Sequence, residues 1–200
     1  MTKLITALSL MMTFNLAFGQ AIEEEEVAKR IFMPSIQLGY LNNLSDELSG
    51  GLFIQTSIEY QTPKGLFFRV NYDDYDSDFE LEDTQSSIDF QRGKVSFSEL
   101  IGGIGYRETL NQHNFLVAAQ MGYRFYGFPL VEEQGNDIIL KFDNRTILSN
   151  RYTLGYEYEI DDKAFLALEL FASHALKGKD YWADQAWAVG FTIGITTTIF

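Results

Sequence analysis

The chain contains no cysteine, only three prolines, and 15 lysines and arginines against 28 aspartates and glutamates in 200 residues. Without a thiol there is no disulfide framework, no cysteine zinc site, no thiol nucleophile and no lipid-anchored cysteine at a mature N-terminus. The formal charge of −13 speaks against nucleic acid as a partner, because phosphate binding runs on clustered Lys and Arg. Also missing beyond the first twenty residues is any apolar run near the roughly 18 residues of a membrane-spanning helix. What is present is a 15% aromatic content beside a mean hydropathy of −0.09. A disordered acidic tail lacks the apolar groups to offset chain entropy. This chain therefore packs or is embedded, and its length suits one domain.

Residues 1–19 read as a secretory signal peptide. Lys3 supplies the positive charge, Leu4 to Leu16 the apolar run, and Ala17-Phe18-Gly19 the small residues of a cleavage site. A mature chain would begin at Gln20, and residues 20–31, with Glu23 to Glu26 followed by Lys29 and Arg30, read as a solvated acidic leader.

From Phe32 onward the period is two. Leu148, Tyr152, Leu154, Tyr156, Tyr158 and Ile160 share one parity, interrupted by Asn150, and Ser149, Arg151, Thr153, Gly155, Glu157 and Glu159 share the other. Only a strand separates such sets. Residues 52–60, 66–73, 113–127 and 187–196 alternate in the same way, and 32–41, 94–106 and 164–175 do so less regularly, with Glu99 and Glu169 set among small or apolar neighbours. No window repeats every three to four residues as an amphipathic helix does. Eight strands and an all-β fold follow.

The links alternate in length: LNNLSDELS, QTPK, Tyr75 to Gly93, RETLNQ, Phe128 to Asn144, DDK, and Lys177 to Asp184. In an up-and-down meander this places short turns at one rim and large loops at the other, the layout of bacterial outer-membrane barrels. Phe32, Tyr60, Tyr106, Phe115 and Tyr158 then fall at the short-turn level, and Tyr40, Tyr72, Phe125 and Trp187 at the other. Two aromatic belts around aliphatic residues match the two interfaces of a bilayer. Lipid offers no partner to an open strand edge, so the barrel must close. A secreted lipocalin-like barrel, with its apolar face inward, is the competing arrangement. Against it stands the polar set of Glu59, Arg69, Asp73, Glu99, Arg124, Arg151, Glu157, Glu159 and Glu169, which mixes both signs and suits a filled eight-stranded interior.

On these residues the chain resembles the small eight-stranded outer-membrane β-barrels, the OmpA-like and OmpX-like group in the version common among Bacteroidota. The resemblance covers residues 32–200. It implies a closed antiparallel barrel, a lumen plugged by Arg to Glu pairs, and contact with outer-membrane lipid and lipopolysaccharide. It also implies a monomer without cofactors, and a C-terminal Phe200 read by the barrel assembly machinery. Phe200 is out of phase with Ile193, Ile195 and Ile199, so either a bulge shifts the register near Thr196 to Thr198 or the assembly signal is a weak one. No peptidoglycan-binding domain is read after Phe200.

A structural or surface-interaction role follows, with a narrow small-solute pore as the alternative. Some barrels of this kind modify lipid A, and Ser173, His174 and Glu169 invite that comparison. Adjacent strand residues point to opposite faces, however, which separates Ser173 from His174, and His113 is expected at a turn without a partner. The chain is read as no enzyme. Asp74, Asp76 and Asp78 alternate as in a calcium loop, but Phe79 replaces the turn glycine and Gln85 the closing glutamate. No metal is assigned. The segment reads as a solvated acidic loop, or one that draws divalent cations among lipopolysaccharide phosphates.

Overall fold

The computed structural model describes residues 32–45, 48–80, 92–134, 137–175 and 187–199. The signal peptide, the acidic leader, Gln85 and Phe200 lie outside them. The strands are β1 (Met33–Asn43), β2 (Gly51–Gln61), β3 (Leu66–Glu80), β4 (Arg92–Leu110), β5 (His113–Gln134), β6 (Asp137–Asp161), β7 (Ala164–Ala175) and β8 (Trp187–Thr197). They form a closed antiparallel barrel in sequence order, and no helix occurs among the described residues.

Closure fixes the stagger. From Glu157 the register runs through Ala167, Gly194, Gln37, Gln55, Asp73, Glu99 and Arg124 and returns to β6 at Ile147, ten residues from its start. That shear tilts every strand and sets a diameter that side chains alone can fill. Ile36, Ile54, Val70, Val117, Leu168 and Ile193 point outward, and the opposite parity points into the lumen. The outward residues include both aromatic belts, from Phe32, Tyr60, Tyr106, Phe115 and Tyr158 at one level to Tyr40, Tyr72, Phe125 and Trp187 at the other. The lipocalin-like arrangement is thereby excluded.

Packing of the narrow lumen depends on glycines opposite large inward residues. Gly39 faces Phe53, Gly105 faces Phe67, Gly155 faces Leu116 and Gly190 faces Phe171 in direct register. A Cβ at Gly105 would lie 2.1 Å from the Phe67 ring, and one at Gly39 2.3 Å from Phe53. Each large side chain lies flat over its glycine, the device by which curved sheets keep both close approach and apolar cover.

Three expectations are corrected. The segment from Tyr75 to Gly93 is strand at both ends: β3 continues to Glu80 and pairs with β4 down to Arg92. Asp74, Asp76 and Asp78 therefore stand on the outer face of a strand, about 7 Å apart along it, and cannot converge on one ion. Asp76 accepts from Ser96 at 2.5 Å and Asp74 from Ser98 at 2.9 Å. Second, Phe128 to Asn144 is a hairpin paired as far as Gln134 and Asp137. Third, no bulge lies between Ile193 and Ile199, where inside and outside alternate through Thr196 and Thr197. The irregularity sits elsewhere, between Glu159 and Asp161.

Candidate functional site

The site to assess is the lumen, because it gathers nearly all of the buried charge. Viewed from the short-turn rim, the interior begins with apolar side chains, Met33, Phe67, Leu116 and Phe165 among them. Among these lies the first ionic layer. Arg69 donates through Nε to Glu59 at 3.0 Å and through Nη1 across the barrel to Glu169 at 2.7 Å. Arg107 bonds Glu59, donates to Gln61 at 2.6 Å and, through Nη2, to Glu157 at 3.1 Å. Asn114 also donates to Glu157 at 3.3 Å, and Gln37 to Glu169 at 3.4 Å. Both guanidiniums lie over the Phe67 ring, at 5.2 and 5.1 Å from its centre.

Farther along the axis comes a second layer. Arg124 pairs with Glu99, and Arg151 pairs with Asp73 and with Glu99, the latter at 2.7 Å. Gln55 accepts from Arg151 at 3.1 Å, and Ser173 from Arg124 at 3.4 Å. All of these groups are buried, so each charge has lost its water and is held by its partners instead. Arg151 stacks 4.5 Å above Phe171, and Arg124 lies 5.9 Å from Phe97.

Above the second layer the lumen is closed by an apolar core. Rings follow one another from Phe171 to Phe53 (5.6 Å), Tyr75 (6.3 Å), Phe97 (5.0 Å) and Tyr126 (5.3 Å). Leu41, Leu48, Phe79, Val95 and Ile147 complete it. Leu48 comes from the first long link and bridges to Phe79. Asn43 and Ser77 both donate to the Ser49 carbonyl, at 2.6 and 2.7 Å, and tie that link across the mouth.

Of the nine lumen charges read from sequence, eight are buried inside and brought together in these two layers. Glu159 differs: it is half-buried beside the register shift near the short-turn rim. Arg107 was missed. It shares parity with Gly103 and Gly105, but the run RETLNQ reads as a turn, whereas the turn comprises only Asn111 and Gln112, with Asn111 at a φ of 56° that asparagine tolerates. The inward aromatics were missed as a group, because Phe53, Phe67 and Phe97 alternate with equally apolar outward neighbours.

The hydrolase comparison finds no constellation. Ser173 faces the lumen beside Arg124, while His174 is on the outer wall, its ring 4.4 Å from Trp187. His113 does have a partner, contrary to expectation: its Nδ1 lies 2.8 Å from the Tyr156 hydroxyl. Among the described residues no group of three or more acidic, histidine or cysteine side chains is placed to hold a metal.

Comparison with known proteins agrees with this geometry at the level of fold. Neisserial surface protein A superposes with a TM-score of 0.60 at 12% identity, covering 84% of this chain and 97% of that one. The fold is that of an outer-membrane β-barrel. The outer membrane protein OprG of Pseudomonas aeruginosa gives a TM-score of 0.52 at 9% identity, over 83% of this chain and 94% of its own. No family model matches the sequence, and no curated protein does.

Proposed function

We propose that this outer-membrane barrel is non-catalytic and acts through its structure and its exposed surface, stabilising the membrane and presenting the strands that continue past the outer aromatic belt. The observation that carries this reading is the filled lumen: among the described residues, two ionic layers and an aromatic core of buried side chains occupy the interior. Past the outer belt, β3 carries Asp74, Asp76 and Asp78 on its outer face, with Ser96 and Ser98 of β4 bonded to two of them, an acidic surface suited to a partner or to cation-bridged lipopolysaccharide. The same reading makes residues 1–19 an export signal, the C-terminal strand the element handed to the assembly machinery, and the inserted form a monomer. We place the chain with the OmpA-like and OmpX-like barrels of Bacteroidota, on its strand count, asymmetric links and belts.

The pore alternative is tested in planar bilayers. The purified, refolded protein should give no channel events above baseline at either polarity. Discrete conductance steps would replace the structural reading with the pore. An unchanged lipid A acyl pattern in cells expressing the protein is the matching expectation for the absence of lipid-modifying activity.

A further inference from the structure

At the short-turn rim, three tyrosine hydroxyls on the outer wall each hold a polar side chain. Tyr106 donates to Glu108 Oε2 at 2.7 Å on β4. Across the turn, the Tyr156 hydroxyl lies 2.8 Å from His113 Nδ1, and Tyr158 donates to Gln112 Oε1 at 3.2 Å. The His113 ring is also fixed by ring contacts, its centre 5.9 Å from that of Tyr156 and 5.5 Å from that of Tyr158. Gln112 is anchored through its carbonyl, which accepts from the Glu159 N–H at 2.9 Å. An aromatic belt needs only rings with polar tips in the headgroup zone. Here the tips position other groups, and Glu108, Gln112 and His113 are all exposed.

Register brings these groups together. Glu108 is opposite Phe115 on β5, and His113 follows two residues away on the same face. Glu108 and His113 are therefore diagonal neighbours, about 7–8 Å apart. Shear then sets them at one depth. Ten residues over eight strands is 1.25 residues per strand, which puts Glu108 that much nearer the short-turn rim than Phe115. His113 is two residues nearer the rim than Phe115, so the carboxylate and the imidazole differ in level by less than one residue, roughly 3 Å. The Phe115 ring stands beside both and 5.5 Å from that of Tyr156.

The two ends differ in chemistry. Glu108 offers a charged acceptor. His113, with the Tyr156 hydroxyl donating to Nδ1, carries its proton on Nε2, and keeps one there when the ring is charged. Gln112, with Oε1 taken, presents its N–H groups. Donors at one end and a carboxylate at the other, level with each other beside an aromatic face, are complementary to a zwitterion.

We propose that this corner binds the headgroup of one phosphatidylethanolamine molecule in the leaflet at the short-turn rim. The phosphate accepts from His113 Nε2 and Gln112 Nε2, and the ammonium meets Glu108 and the Phe115 ring. A two-carbon link joins the lipid's phosphate ester to its nitrogen, a span suited to the diagonal once the side chains reach inward. A choline headgroup has no N–H to donate to Glu108, and an anionic glycerol headgroup meets that carboxylate with like charge. The assignment gives the surface role proposed above a lipid partner and rests on the membrane reading.

The test is native mass spectrometry of the refolded protein released from detergent micelles that contain equal amounts of ethanolamine, choline and glycerol phospholipids with identical acyl chains. One ethanolamine lipid should be retained, in preference to choline lipid by about fivefold, the upper end for an exposed charge pair, and glycerol lipid should be retained least. Glu108→Gln should remove the preference over choline lipid. Tyr156→Phe, which frees His113 without changing charge, should weaken retention of the ethanolamine lipid, whereas Tyr60→Phe, elsewhere in the same belt, should not. Equal retention of the three lipids would overturn the proposal, as would a preference that survives Glu108→Gln. The altered side chains are exposed or half-buried, and a mobility shift on boiling verifies that each sample is folded. A protein that shows the shift without the preference refutes this site alone, and one that lacks the shift refutes the membrane reading.

Discussion

Arg69 on β3 and Glu169 on β7 meet across the full width of the lumen, 2.7 Å apart and one hundred residues apart in sequence. No local interaction brings them together; only closure of the barrel does. Their contact makes the first ionic layer a cross-brace, and the worth of such a brace lies more in fixing one geometry than in net stability.

Arg107 is the second arginine of that brace and joins Glu59 to Glu157. Arg107→Ala should lower unfolding stability by about 3–5 kcal/mol, the cost of leaving buried partners uncompensated. The double change with Glu157→Gln should cost less than the sum of the single changes, because each removes the other's stranded partner. Urea unfolding in lipid vesicles measures both.

The glycine seats give a prediction about shape rather than charge. Gly105→Val places a branched side chain where the Phe67 ring lies, so its folding yield should fall and its stability drop by about 1–3 kcal/mol. Adding Phe67→Ala should recover part of that loss. Gly102 lies three residues away on the outer face with only ordinary contacts around it, and Gly102→Ala should be tolerated.

The outer wall should respond to charge by depth. Val70→Arg, within the lipid-facing band, should cost about 2–4 kcal/mol in bilayer refolding, whereas Asp76→Asn, on the same outer parity beyond the Tyr72 belt, should change stability by less than about 1 kcal/mol. Calcium titration of the unmodified protein should leave stability unaffected by any site built on Asp74, Asp76 and Asp78, and Asp78→Asn should behave as the parent does.

Much of this architecture is legible in the sequence because lipid outside and charge inside give the two strand faces opposite chemistry. Glu59, Arg69, Glu157 and Glu169 announce themselves by parity. Legibility ends where that contrast does. Past Tyr72 the outward residues of β3 become Asp74, Asp76 and Asp78 while the inward ones become Tyr75 and Phe79, so the polarity inverts and the strand reads as an acidic loop. Arg107 was hidden by its polar neighbours Glu108 and Thr109, which resemble a turn, although both strands continue to Leu110 and His113. The division of lumen charge into two layers follows from the shear, which appears only once the register is known.

The central claim, a closed barrel whose apolar face meets lipid, is tested most directly by electrophoresis of the membrane fraction with and without boiling in dodecyl sulfate. Two mobilities are predicted for the membrane-bound protein, a folded form in the unboiled sample that converts wholly to the unfolded position on heating. A protein recovered in the soluble fraction, with a single mobility in both samples, would contradict the account.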